Sequence, residues 1–377
     1  MPPRVLIVAG EASGDLHGSA VVRALKGLSP GVLVAGVGGD RMRGEGMEIL
    51  HDIADLAFMG FAEVLRNLGT IRNLKRLLVD ELDRRRPDVV VLIDYPGFNL
   101  RFAREAKSRG IPVLYYISPQ VWAWHRGRVK TMRSLVDRMK VVFPFEVEIY
   151  RNEGIDVEFV GHPLVEHIGT SRTREEFFRE NGLDPSKRLI GLFPGSRRQE
   201  IERILPVISR AAAMLCRGRD LQSAIGVAPN LGKEFLGRFT AGGEGAVMVE
   251  NGTYDLMAYS DAAIVTSGTA TLEAGWFGTP MAVVYRTSPL TYVIGRLLVD
   301  VRSIGLVNIV AGKPVVPEFI QGGLTAEKLA SGVGRFLDDP ALLASMRRDL
   351  AVIREKLGGP GASGRVARGI LSLAEAA

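Results

Sequence analysis

Arg4-Val5-Leu6-Ile7-Val8-Ala9 runs into Gly10-Glu11-Ala12-Ser13-Gly14-Asp15 and on into a stretch that opens a helix at about Leu16. A short apolar run, a turn of small residues and a helical pattern make one strand-turn-helix unit. The unit recurs down the chain. Further strands are expected near Val32 to Val37, Val89 to Ile93, Val113 to Ile117, Met139 to Phe143 and Val157 to Val160. A second series falls near Leu189 to Phe193, Gln222 to Val227, Ala246 to Val249, Ala262 to Val265 and Met281 to Tyr285. Strands alternating with helical patterns predict parallel sheets with crossover helices, hence an α/β fold of two doubly wound, Rossmann-like sheets.

His162-Pro163 and the polar run Gly169-Thr170-Ser171-Arg172 interrupt the alternation and put a boundary within Gly161 to Arg174. The expected domains are residues 1–165 and residues 166–340. From Thr325 onward helices are expected, broken at Asp339-Pro340 and Gly358-Gly359-Pro360-Gly361. Residues 341–377 then cross back to the first domain or pass to a partner chain, as in a homodimer. Ligands collect beyond the carboxyl ends of parallel strands, so a cleft between the two facing domains is the expected active site.

With 377 residues, 46% apolar and 24% charged, the chain has the composition of a globular protein with two sizeable cores, and disorder drops out. Apolar runs such as Val89 to Ile93 fall far short of the roughly 20 residues that cross a bilayer. The first strand follows Met1 too closely for a signal-peptide core, which points to the cytoplasm. The lone Cys216 excludes disulfides within the chain and reads as a buried structural thiol. A net charge of +6 suggests an anionic partner, yet no nucleic-acid module is recognisable.

The motifs carry the chemistry. The turn at Ser13 and Gly14 offers backbone amides to an anion or sugar, although a tight strand-to-helix turn explains it equally. It is neither a dinucleotide fingerprint nor a Walker loop, which weakens oxidoreductase and NTPase readings. The run Asp94-Tyr95-Pro96-Gly97-Phe98-Asn99 places a carboxylate at the carboxyl edge of a strand. Asp94 is the candidate general base, with Asn99 better placed to cap the following helix. Ser118-Pro119-Gln120-Val121-Trp122-Ala123-Trp124-His125-Arg126 gathers two tryptophans beside polar groups, and Glu11, Asn99, Gln120 and Trp124 are expected to wall the cleft.

In the second half, Pro194-Gly195-Ser196-Arg197-Arg198 precedes a helix. Two arginines oppose a helix dipole, so a bound diphosphate held by Ser196, Arg197 and Arg198 accounts for them better than a solvated cap. Ser267-Gly268-Thr269-Ala270-Thr271-Leu272-Glu273 repeats the pattern, with amides for phosphate and Glu273 one turn inside, where it can hold ribose hydroxyls. Asn308, in a loop between apolar residues, is a weaker candidate by itself. The five histidines lack zinc-ligand spacing and no Asp-x-Asp pair exists, so metal-independent, cofactor-free chemistry is expected. Finally, Phe58 to Leu65 precedes an acid-free basic stretch. Met59, Phe61, Val64, Leu65, Arg66 and Arg72 are read as contacts to an anionic membrane surface, in place of ordinary core packing.

Taken together these motifs, with Met59-Gly60 and Gly161-His162-Pro163, resemble the lipid-A-disaccharide synthase family of two-domain GT-B glycosyltransferases over nearly the whole chain. The resemblance implies inverting transfer of 2,3-diacylglucosamine from UDP-2,3-diacylglucosamine to the 6-hydroxyl of 2,3-diacylglucosamine 1-phosphate. The products are a β(1→6)-linked disaccharide 1-phosphate and UDP, a step of lipid A synthesis at the inner face of the cytoplasmic membrane. It assigns the base to Asp94 and UDP binding to Ser196, Arg197, Glu273 and, on the resemblance alone, Asn308. Two competitors remain. A UDP-N-acetylglucosamine 2-epimerase shares the layout but has no use for an apolar, basic element. A non-enzymatic binder of anionic lipid or nucleic acid leaves Asp94 and Glu273 unexplained.

Overall fold

A computed structural model describes residues 1–56, 68–122, 127–240, 245–288, 292 and 303–376. The chain divides into two units, Met1–Glu166 with Leu357–Ala377, and His167–Lys356.

Unit 1 holds seven strands, β1 (Arg4–Ala9), β2 (Leu33–Gly38), β3 (Glu48–Asp52), β4 (Val89–Ile93), β5 (Val113–Tyr116), β6 (Arg138–Val141) and β7 (Val157–Phe159). They pair in parallel in the order β3-β2-β1-β4-β5-β6-β7. The chain builds outward from β1 to β3, then returns to lay β4 against β1 in a register that sets Val5 opposite Val89 and Ala9 opposite Ile93. β4 is buried along its whole length, as expected of a central strand covered on both faces. Helix Leu68–Arg85 sends Leu74, Leu78 and Leu82 into the core. Helix Pro96–Lys107 adds Phe98, Phe102 and Ala106. A fully buried leucine or phenylalanine contributes about 1.5 to 3 kcal/mol, so these repeats fix both helices on the sheet.

Unit 2 repeats the plan with β8 (Arg188–Phe193), β9 (Leu221–Gly226), β10 (Val247–Val249), β11 (Ala262–Thr266), β12 (Met281–Tyr285) and β13 (Glu318–Ile320), all parallel. The order is β10-β9-β8-β11-β12-β13. Its reversal falls between β8 and β11, where Val265 lies opposite Phe193.

The chain enters unit 2 at His167 and leaves it after Lys356, within the helix Pro340–Leu357. The last helix, Ala362–Glu375, then packs on helix Ala12–Leu28 of unit 1, burying Ala362, Val366, Ala367 and Ile370. The Glu166 carboxylate accepts from the Ser363 N–H at 2.8 Å and from its hydroxyl. An acid is thereby placed on the free amides at that helix start. Arg365 Nε donates to the Val160 carbonyl at 2.9 Å.

The strands expected from the sequence lie within two residues of those observed, and two went unread, β3 and β13. Both are edge strands with half-exposed residues, so neither forms an apolar run. The first helix begins at Ala12 and not at Leu16, so Ser13 and Gly14 belong to its opening turn. No helix among the described residues is long and apolar enough to cross a membrane.

Candidate active site

In a doubly wound sheet, two neighbouring strands at the point where the order reverses send their following loops to opposite faces, leaving a crevice at their carboxyl ends. In unit 1 those strands are β1 and β4, and their loops carry Glu11 and Asp94. Asp94 and Tyr95 leave β4 with φ of +46° and +45°, two consecutive left-handed residues that are not glycine. Such conformations cost on the order of 1 to 3 kcal/mol each and persist only where neighbours impose them. Here Asn99 Nδ2 at 2.7 Å and Tyr115 Oη at 2.6 Å both donate to the Asp94 carbonyl, while the Asp94 N–H donates to Tyr116 O at 3.0 Å. The Tyr95 ring lies over Gly10, where a Cβ would come within 2.3 Å of it, so the two loops fit only with glycine there. Burial, and then the negative charge of Glu11, push the Asp94 carboxyl up to about 6. The result is a fixed backbone at Asp94 whose carboxylate has the proton affinity of a base working near neutrality.

Several sequence readings change in unit 1. Asn99 is fully buried inside its helix, whose N-cap is Tyr95, so it neither caps that helix nor walls an open cleft. It donates to the Val8, Ile93 and Asp94 carbonyls and so ties the ends of β1 and β4 together. Gly14 faces its Cα inward against Ala9 and sets the closeness of helix to strand. Ser13 and Gln120 are exposed. Asp15, unremarked in the sequence, accepts from the N–H groups of Gly39, Arg41 and Met42 and caps helix Asp40–Gly44. Of the residues expected to contact a membrane, Arg72 is exposed, but the apolar side of its helix is core. Met59, Phe61, Val64, Leu65, Arg66 and the cleft residue Trp124 lie outside the described residues. His162 is buried beside Phe143, and burial lowers its imidazole to about 3, so it is neutral.

In unit 2 the corresponding strands are β8 and β11. Gly195 turns the chain after β8 at φ +105°, and a Cβ there would meet Glu200 Oε2 at 2.4 Å. Asn230 Nδ2 pins the Ser196 carbonyl at 3.0 Å. Arg197 is the N-cap of helix Arg198–Cys216, largely exposed and 3.3 Å from Glu200, a loose pairing that leaves the guanidinium open to an anion. Arg198 lies with its guanidinium 4.9 Å from the centre of the Phe235 ring, a stacking contact that uses none of its N–H donors.

After β11, Gly268 is the N-cap of helix Thr269–Phe277, and Thr269 is exposed at its start. Ser267 donates its hydroxyl hydrogen to the Ile304 carbonyl at 2.8 Å, which leaves it only acceptor capacity for a ligand. Burial raises the Glu273 carboxyl, and the Tyr254 hydroxyl donates to its Oε1 at 3.3 Å, leaving Oε2 for a sugar hydroxyl.

Asn308 is the largest correction. It lies in helix Leu306–Ala311, not in a loop, and it is buried with its amide in full use. Nδ2 donates to Val316 O at 2.9 Å and Glu318 Oε1 at 2.8 Å, while Oδ1 accepts from the N–H groups of Val315 and Val316. Glu318 in turn accepts from the N–H groups of Ile304 and Gly305, both at 3.0 Å. Asn308 therefore braces the segment that Ser267 grips and has no polar group left for UDP. Glu318 was illegible because its strand is three residues long. Half-buried Cys216 ends its helix with its thiol raised by burial. Among the described residues no three His, Cys, Asp or Glu side chains gather in a set that could hold a metal ion.

Two parallel-sheet units, each with its charged and small polar residues at the reversal of strand order, define the GT-B architecture. Solved structures agree on the fold. A putative UDP-N-acetylglucosamine 2-epimerase from Listeria monocytogenes superposes with a TM-score of 0.67 at 15% identity over 100% of this chain and 98% of its own. The calicheamicin glycosyltransferase CalG4 gives 0.61 at 15% identity, over 99% of each chain. The chain belongs to the lipid-A-disaccharide synthetase family, whose model matches residues 5–340, and is a glycosyltransferase. The lipid-A-disaccharide synthase of Geobacter sulfurreducens is 47% identical over 98% of this chain and 97% of its own length. That of Myxococcus xanthus is 42% identical over 99% and 98%. The epimerase likeness is one of fold alone.

Proposed function

We propose that the chain transfers 2,3-diacylglucosamine from UDP-2,3-diacylglucosamine to 2,3-diacylglucosamine 1-phosphate with inversion. Asp94 takes the proton of the acceptor 6-hydroxyl, and the resulting oxygen bonds to the donor's anomeric carbon as the bond from that carbon to the UDP oxygen breaks. Charge on the departing diphosphate is met by the Arg197 guanidinium and by the free amides at the starts of helices Arg198–Cys216 and Thr269–Phe277. Glu273 holds the ribose hydroxyls. The observation that carries the reading is Asp94, whose clamped backbone sets a carboxylate with proton affinity raised to about 6 at a strand-order reversal.

Both substrates carry acyl chains, so the enzyme works as a peripheral protein on an anionic membrane surface, with Met59, Phe61, Val64, Leu65 and Arg66 as its contacts. Mass spectrometry after incubation of both substrates with enzyme, detergent and EDTA should show a tetra-acylated disaccharide 1-phosphate and UDP. Survival of both substrates, with or without Mg²⁺, overturns the reaction, and turnover only with Mg²⁺ overturns its metal independence.

A further inference from the structure

A second strand end in unit 1 also leaves its sheet through a left-handed residue that is not glycine. β5, the neighbour of β4, leaves the sheet through Ile117 at φ +59°, a conformation that a β-branched residue adopts only when its surroundings impose it. The constraint comes from the loop after β6. Glu146, at the start of helix Glu146–Arg151, is buried, and its Oε1 accepts from the Ser118 hydroxyl at 2.7 Å. Its Oε2 accepts from the Phe143 N–H at 3.1 Å. Tyr150, one turn further along, donates to the Pro119 carbonyl at 3.3 Å. One carboxylate thus locks the turn after β5 to the turn after β6. Burial pushes that carboxyl up to about 7, so an acid here is costly, and sheet packing alone does not call for one.

We propose that Glu146 is a positioning residue for the acceptor. Through Ser118 it holds the Ile117–Gln120 turn so that exposed Gln120 stands on the same sheet edge as Asp94, where an amide can bond the acceptor's hydroxyls. The proposal deepens the transfer reaction set out above and rests on it. The hydrogen-bond directions make it specific. Phe143 N–H can only donate, whereas the Ser118 hydroxyl can reverse. A glutamine at 146 can therefore direct its oxygen to Phe143 and its NH₂ to Ser118 Oγ and keep the lock, while alanine leaves both groups unmatched.

The test compares wild type, Glu146→Ala, Glu146→Gln and Ser118→Ala by steady-state kinetics with acceptor and donor varied separately, beside calorimetric UDP affinity. Loss of the lock should lower kcat/KM for the acceptor about ten- to a hundredfold in Glu146→Ala and Ser118→Ala, with UDP affinity within about twofold of wild type. Glu146→Gln should recover to within about threefold of wild type. Wild-type acceptor kinetics in both weakened variants overturns the proposal, as does an equal loss in UDP affinity, which marks general destabilisation. Failure of Glu146→Gln to recover also overturns it. Should Glu146→Ala not fold, Ser118→Ala and Glu146→Gln decide alone. A wild type that forms no disaccharide defeats the parent reaction and this proposal together, whereas turnover with unaffected variants defeats only this one.

Discussion

Asp94 combines two demands that normally conflict, a carboxylate withdrawn from water and one that must ionise to act. With its proton affinity raised to about 6 by burial and by Glu11, transfer should fall about tenfold per pH unit below 6 and level off above it. Glu11→Gln removes the neighbouring charge and should move that limb towards acid; a pH–rate profile superimposable on wild type would free Asp94 of any influence from Glu11. Stability runs with the opposite sign. The folded value lies above the roughly 3.9 of an unfolded aspartate, so the ionised form is the disfavoured one in the fold. That penalty is absent below about pH 4 and complete above about pH 6. Asp94→Asn should then abolish transfer yet raise Tm by a few degrees at pH 8 and leave it unchanged at pH 4, which thermal scans at the two values will show. In unit 2, Arg197→Ala should weaken UDP binding about ten- to a hundredfold by calorimetry, the worth of a charge-assisted contact to phosphate. Undiminished affinity would place the diphosphate elsewhere.

Elements explain what residues alone do not. The bracket of Asn308 and Glu318 sets helix Leu306–Ala311 against strand β13 and holds the Ile304–Gly305 backbone where Ser267 reaches it. Asn308→Ala strands the Val315 and Val316 N–H groups, and should cost about 2 to 4 kcal/mol, visible as a lowered Tm of the ligand-free protein. A ligand-free Tm equal to wild type, with UDP binding lost, would return Asn308 to direct contact with the nucleotide. Motif turns were legible in sequence because each joins an apolar run to small residues and a helix start within a few positions. Burial of the wider helix faces was not: the acid-free basic stretch from Val64 to Val79 read as a surface for anionic lipid. From Leu68 onward it is a helix with Leu74, Leu78 and Leu82 turned into the core and Lys75 paired with Glu105 at 2.8 Å. An amphipathic helix has the same period whichever apolar phase it meets.

At the scale of the whole molecule, the last helix returns to unit 1 and lies on helix Ala12–Leu28, the one that opens with the Glu11 turn. A chain ended at Lys356 should keep amide-exchange protection in β8 and β11 but lose it in helix Ala12–Leu28; unchanged protection there would show the return to be dispensable. The strands other than β3 and β13, the two doubly wound sheets, the placing of Asp94 and Arg197 at strand ends and that of Glu273 one turn inside the following helix were legible in the sequence. Those features are written in local periodicity and in turns a few residues long. What only the tertiary structure decided is which polar groups are already taken. Asn99 donates to Val8 across 91 positions of chain, Ser267 to Ile304 across 37, and Asn308 spends its whole amide on Val315, Val316 and Glu318. An amide or hydroxyl looks equally available in any sequence. Its hydrogen bonds are set by partners that only folding brings within about 3 Å, and a group saturated there has nothing left to offer a ligand.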